Sequence, residues 1–191
     1  MTYKTHLALS LTATLPVMSL TGTLSGGGIA ALALGTLLPD IDEPGSWIGR
    51  RTRGISDMMN RTFGHRGMTH SLVAVGVVVL LMVSLVLLLN VPAAVAAAFI
   101  GGYSLHLMGD SFSKSGIAWL QPFKNKKFQS GFGVVYYTTG SMVEKLLLVG
   151  LVAVLVYIVS RMELSLSLAD IYRLPGEIWY SFGQAVGRLL D

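Results

Sequence analysis

Residues 7–39 form a run with no charged side chain. Such a run is too long for one comfortable crossing, since about 20 residues span the hydrocarbon core. The stretch TGTLSGGG at 21–28 interrupts it with four glycines. The pattern therefore predicts two short helices, 4–21 and 26–38, folded as a hairpin; a single broken helix over 7–38 is the alternative. Residues 39–70 are polar and rich in Pro, Gly and Arg, which reads as a loop region with a short surface helix around 55–62. SLVAVGVVVLLMVSLVLLL at 71–89 has the clearest transmembrane pattern; NVP at 90–92 makes a tight turn, and 92–109 return as the next helix. A second polar loop fills 111–139, and LLLVGLVAVLVYIVS at 146–160, lengthened by Ser141–Glu144, forms a last span. Near the C-terminus Glu177, Ser181, Gln184, Arg188 and Asp191 lie on one helical face, opposite Ile178, Phe182, Ala185 and Leu189. That pattern predicts an amphipathic helix lying on a membrane surface.

The expected fold is thus an all-α integral membrane protein: a bundle of about five transmembrane or membrane-embedded helices plus a C-terminal amphipathic helix. A membrane-embedded domain would occupy 1–160 and the tail 161–191. Composition agrees. Of 191 residues 52% are hydrophobic and only 13% charged, and the mean hydropathy is +0.64, where soluble domains carry about 25% charged residues. The apolar N-terminus lacks a clear small-x-small cleavage site and reads as a retained first helix. The net charge of +4 reports membrane orientation rather than nucleic-acid binding. Lys4, the five arginines between 50 and 66, the four lysines between 114 and 127, and Lys145 all fall on one predicted side. The positive-inside tendency puts that side in the cytoplasm. Trp47, Trp119 and Phe123 read as interface anchors.

With no cysteine, any metal must be held by imidazole or carboxylate. On this topology all four histidines, His6, His65, His70 and His106, lie at the same end of their helices. LPDID places Asp40 and Asp42 where the second helix ends; in an extended segment, residues two apart face the same way. HLMGD sets His106 and Asp110 four apart on one helical face, and Glu144 sits on the first turn of the last span. Each signal alone is weak, since a lone histidine or DxD is usually a polar interface residue or a cap. Their joint placement on one membrane face is what points to a site, because ionisable groups embedded in a membrane are functional candidates. Nitrogen and oxygen donors without sulfur suit zinc, with manganese or iron as alternatives, and eight candidate ligands imply two or three ions.

The motifs LPDID, GHRGMTHSL, GGYSLHLMGD and GSMVEK, in this order over roughly residues 1–145, resemble the YdjM-type family of membrane-bound, metal-dependent hydrolases. That family is in turn distantly similar to zinc-dependent phospholipase C and related nucleases. The resemblance implies metal ligation by His6, Asp40, Asp42, His65, His70, His106, Asp110 and Glu144, and an all-helical fold. The expected activity is hydrolysis of a phosphoester of a lipid or other amphiphile at the cytoplasmic interface. Asp40 or Asp110 would act as proton acceptor, and Arg66 as a bidentate phosphate donor. HExxH, G-x-S-x-G and P-loop signatures are absent. The HxxxD at 106–110 lacks the upstream Ser-Arg pair that histidine-nucleophile lipid phosphatases need. A non-enzymatic alternative is a transporter or sensor that binds divalent metal.

Overall fold

The computed structural model describes residues 1–64, 66–134 and 136–162. His65 and the helix expected at 175–191 lie outside the described residues. Among the described residues six α-helices follow in order: α1 (Tyr3–Leu20), α2 (Gly26–Leu37), α3 (Arg53–Phe63), α4 (Leu72–Leu89), α5 (Ala93–Ser111) and α6 (Met142–Arg161). Short 3-10 turns occupy Leu38–Asp42, Gly49–Arg51 and Met68–His70.

Serines set three of the starts: Ser25, Ser71 and Ser141 cap α2, α4 and α6 by accepting from Gly28, Ala74 and Glu144 N–H. Asn90, in the left-handed region at φ 54°, ends α4 and lets the chain reverse into α5. The break at 21–25 gives the expected hairpin, and the expected surface helix is α3.

The count of five spans is not supported. Among the described residues two helices, α4 and α6, are long and apolar enough to cross a membrane. α2 has 12 residues, which reach about 18 Å at 1.5 Å per residue, well short of a hydrocarbon core about 30 Å thick. α1 and α5 have 18 and 19 residues but are diluted by polar and small side chains such as Thr5, Ser10, Thr12, Ser104 and Asp110.

The most extensive helix pairing is α2 with α5, and its cause is glycine. A Cβ built on Gly35 would lie 2.1 Å from the Phe99 carbonyl oxygen, and one on Gly102 would lie 2.2 Å from that of Leu32. Only residues without a side chain let the two backbones come this close, the small-residue packing that membrane helices favour. α1 packs on α2, α5 and α6, and α4 on α5. Two apolar clusters fill the contacts: Met18, Ala31, Leu32 and Ala98 between α1, α2 and α5, and Val78, Met82, Ala96, Tyr103, Leu107 and Ile117 between α4, α5 and the following loop. That loop turns back on α5 through paired backbone bonds between Ile117 and Phe128 and a bond from Lys114 N–H to the Tyr137 carbonyl, which carries Tyr137 to the end of α5.

Candidate metal centre

Four elements deliver the buried imidazoles and carboxylates. His6 comes from the first turns of α1, His106 and Asp110 from the last turns of α5, Asp40 from the 3-10 turn after α2, and His70 from the turn before α4. His6, His70, His106 and Asp110 are at most 1% exposed. Two triads meet the geometry of a shared ion, with ligand atoms within 4.8 Å of one another: His6, His106 and Asp110, and Asp40, His70 and His106. His106 belongs to both.

The imidazoles are held in one tautomer by what lies behind them. His106 Nδ1 is 2.7 Å from the Thr36 carbonyl oxygen, so Nδ1 carries the proton and donates. His70 Nδ1 faces Asp42 Oδ2 at 3.2 Å and Thr69 Oγ1 at 3.0 Å. The Thr69 hydroxyl donates to Asp42, leaving His70 Nδ1–H to donate to the carboxylate. Both Nε2 lone pairs then point at the same space, 3.3 Å apart. Two facing lone pairs repel unless a cation lies between them. Two nitrogens on a tetrahedral zinc at about 2.0–2.1 Å are separated by roughly 3.3–3.4 Å. The ring of His6 stacks on that of His106, centroids 3.7 Å apart and planes 11° from parallel. Neither nitrogen of His6 makes a hydrogen bond, although Nε2 lies 3.2 Å from Asp110 Oδ1. A fully buried imidazole with no hydrogen-bond partner is costly, and an ion at the first triad would satisfy it. The residues present therefore fit a divalent metal with nitrogen and oxygen donors.

Electrostatics point the same way. Burial pushes the His6 imidazole down to about 4, and burial together with the neighbouring His6 lowers His106; both are neutral, as a metal ligand must be. Burial alone would raise Asp110, but the close approach of His6 and of the terminal ammonium brings it well below the usual carboxylate range. Its Oδ1 also meets Met1 N at 2.6 Å and the Tyr137 hydroxyl at 3.2 Å. Oδ2 is ion-paired with Arg66, Nε at 2.9 Å, and faces His70 Nε2 at 3.6 Å. Burial, with Asp110 alongside, raises the Tyr137 phenol, which stays a hydrogen-bond donor.

Other expected ligands stand elsewhere. Asp40 and Asp42 do not face one point, because Leu38–Asp42 is a 3-10 turn with three residues per turn, which aims residues two apart in different directions. Asp40 turns to His106 Nε2 at 3.6 Å and keeps 14% exposure, while Asp42 supports His70 from behind. Glu144 is buried away from the imidazoles. It accepts from Thr2 N–H, the Thr5 hydroxyl and Gly140 N–H, tying the start of α6 to the start of α1. Arg66, at φ 57°, points inward and not toward solvent: besides its ion pair with Asp110, its Nη1 donates to Ser113 and Ser115 Oγ, both at 2.6 Å. The sequence reading missed Thr36, Thr69, Ser113, Ser115 and Tyr137. Only SFSKSG, directly after Asp110, offered a signal, as a polar run beside a candidate ligand.

Residues 1–167 match the family described as YdjM inner membrane protein. The chain belongs to the YdjM family. Membership places it among inner membrane proteins, and the matched segment contains all six described helices. Inner membrane protein YdjM of Escherichia coli (strain K12) is 37% identical over 98 residues, which are 49% of this chain and 48% of that protein. The YdjM protein of Shigella flexneri aligns with the same figures. Uncharacterized protein YvsG of Bacillus subtilis (strain 168) is 32% identical over 123 residues, 64% of this chain and 71% of YvsG. The chain spans about half the length of the YdjM relatives it matches. No solved structure matches it.

Proposed function

We propose that this YdjM-family chain is a metal-dependent hydrolase of the inner membrane that cleaves a phosphoester of a lipid or another amphiphile, with its site facing the cytoplasm. The observation that carries the reading is the pair of Nε2 atoms of His70 and His106, 3.3 Å apart, each with its Nδ1 proton committed elsewhere. Zinc fits this donor set best and manganese is the alternative. Two triads sharing His106 correspond to two ions. Bound there, divalent metal supplies a Lewis acid and a water that deprotonates near neutral pH.

The protein's own groups then divide the work. Asp42 and the Thr36 carbonyl hold His70 and His106 in the ligating tautomer. Asp40, the most exposed member of the two triads, is placed to take a proton from water at the mouth of the site. Arg66, held by Asp110, Ser113 and Ser115, positions Asp110 and balances its charge. The basic loops, with Arg50, Arg51, Arg53 and Lys124, support the cytoplasmic orientation.

The test is metal analysis of the purified full-length protein, followed by assay of bis(p-nitrophenyl) phosphate and a panel of phospholipids, lysolipids and polyprenyl phosphates with zinc or manganese. Turnover that is lost in His70→Ala and His106→Ala supports the reading. Metal-loaded protein that cleaves nothing in the panel overturns it, in favour of a metal-binding transporter or sensor.

A further inference from the structure

Beside the metal centre lies an apolar cleft of about 340 Å³, within the range of small-molecule sites. Its walls come from the turn after α2 (Ile41), from α3 (Met59) and from the first turns of α4 (Ala74 and Val78); Thr69 and Tyr103 close the inner end. Those two residues also reach the metal centre. The Tyr103 hydroxyl donates to the Thr69 carbonyl, and the Thr69 hydroxyl contacts both Asp42 and His70. Their polar atoms are thus engaged on the far side, leaving carbon facing the cleft.

The outer rim belongs to a membrane. α4 is one of two helices among the described residues able to cross a bilayer, and Val77 on it both lines the cleft and is exposed on its outer side. α3 is amphipathic: Met59 faces inward, Ile55 and Met58 are 54% and 63% exposed, and Arg53 and Arg61 flank them. An exposed apolar strip bordered by arginines is the pattern of a helix lying in the headgroup layer. A cleft between such a helix and the start of a span opens at the level where lipid chains begin, and what fills it from that side is hydrocarbon.

We propose that this cleft binds one hydrocarbon chain, acyl or isoprenyl, of a membrane lipid, whose head group then lies at the His70 end. This rests on the hydrolase reading for the chemistry at the head group, and the experiment separates the two. Full-length protein is reconstituted in vesicles of phosphatidylethanolamine and phosphatidylglycerol that include a phosphatidylglycerol with a diazirine in one acyl chain. After irradiation, adducts are mapped by peptide mass spectrometry. Adducts at Met59, Ala74 and Val78 are expected. Ala74→Trp and Val78→Trp, each filling the cleft, are expected to lose them while still binding zinc. Adducts confined to the outward residues Leu80, Leu87 and Leu88, or cleft adducts that persist in zinc-retaining tryptophan variants, overturn the proposal. The wild-type map decides by itself if the variants fail to fold. Adducts in the cleft without phosphoester hydrolysis leave the chain site standing and remove the hydrolase reading. Hydrolysis with adducts elsewhere does the reverse.

Discussion

Two pairs of helices solve different problems. α4 and α6 are rich in Val and Leu, yet only 11% and 6% of their spanning windows are buried inside the protein. α2 and α5 are built from Gly and Ala and touch backbone to backbone at Gly35 and Gly102. Large apolar side chains meet lipid because lipid is as apolar as they are, so nothing drives them together. Small residues meet each other because close approach is what packing can add. The candidate metal centre gathers around the end of the second pair, with His106 and Asp110 from α5 and Asp40 from the turn after α2. Gly102 lies one turn before His106, and the approach it permits brings the Thr36 carbonyl within 2.7 Å of His106 Nδ1. Apolarity marks where the chain crosses the membrane; smallness marks where it builds a site.

The largest effect is therefore expected where the two backbones touch. In Gly102→Ala the new Cβ would meet the Leu32 carbonyl oxygen at 2.2 Å and Thr36 N at 2.9 Å, and neither neighbour can swing aside as a flexible side chain would. Overpacking typically costs about 1–3 kcal/mol and occasionally more, and contacts this short against backbone belong at the top of that range. Gly35→Ala, against Phe99, should match it. Thermal unfolding in detergent, with bound metal measured in parallel, checks the outcome. A stable Gly102→Ala protein with full metal content would break the link between close packing and the site.

Next come the ligands. His106→Ala is expected to remove bound metal from both triads, whereas Asp40→Asn leaves the His6–His106–Asp110 triad intact and should retain part of it. Asp42→Asn, which keeps the shape but loses the charge behind His70, should weaken metal binding roughly 10- to 100-fold, as loss of such supporting partners does. Metal titration of the stripped protein ranks the three. If Asp42→Asn loses as much as His106→Ala, Asp42 is itself a ligand.

The same contrast explains what could be read in advance. The hairpin break at 21–28, the apolar span at 71–89 and the turn at 90–92 were legible because they depend on local chemistry: glycine runs, unbroken apolarity and a turn-forming asparagine. His6, His70, His106 and Asp110 converge as expected because helix ends on one side of a bundle must be neighbours. What failed was what depends on local geometry or on distant partners. The 3-10 turn sends Asp40 and Asp42 apart. Arg66 is captured by Asp110, forty-four positions on, and by two serines. Glu144 looked like a ligand because it is an acid at the start of a span, and nothing in its neighbourhood announced that Thr2 and Thr5 would claim it.

Glu144 is the one buried residue of α6, so it tests how that helix is held. Glu144→Gln keeps the shape but replaces an ionised acceptor by an amide that must match three donors. A loss of about 1–3 kcal/mol is expected for hydrogen bonds to a charged group, with metal content unchanged. Protease accessibility around 138–145 would report the loosened α1–α6 contact. Loss of metal at unchanged stability would instead restore Glu144 to the ligand set.

The smallest effects sharpen the comparison most, because they set neighbours against each other. Gly101 adjoins Gly102 on α5, yet a Cβ there meets nothing within 4 Å; the same holds for Gly76 on α4 and Gly150 on α6. Alanine at these positions removes backbone freedom from the unfolded chain without a clash, and should stabilise by about 0.5–1 kcal/mol. Gly101→Ala and Gly102→Ala should thus shift the unfolding midpoint in opposite directions from adjacent positions. If Gly101→Ala, Gly76→Ala or Gly150→Ala destabilises as Gly102→Ala does, that glycine lies against another protein surface and not lipid, and the division between crossing helices and site-building helices fails at that position.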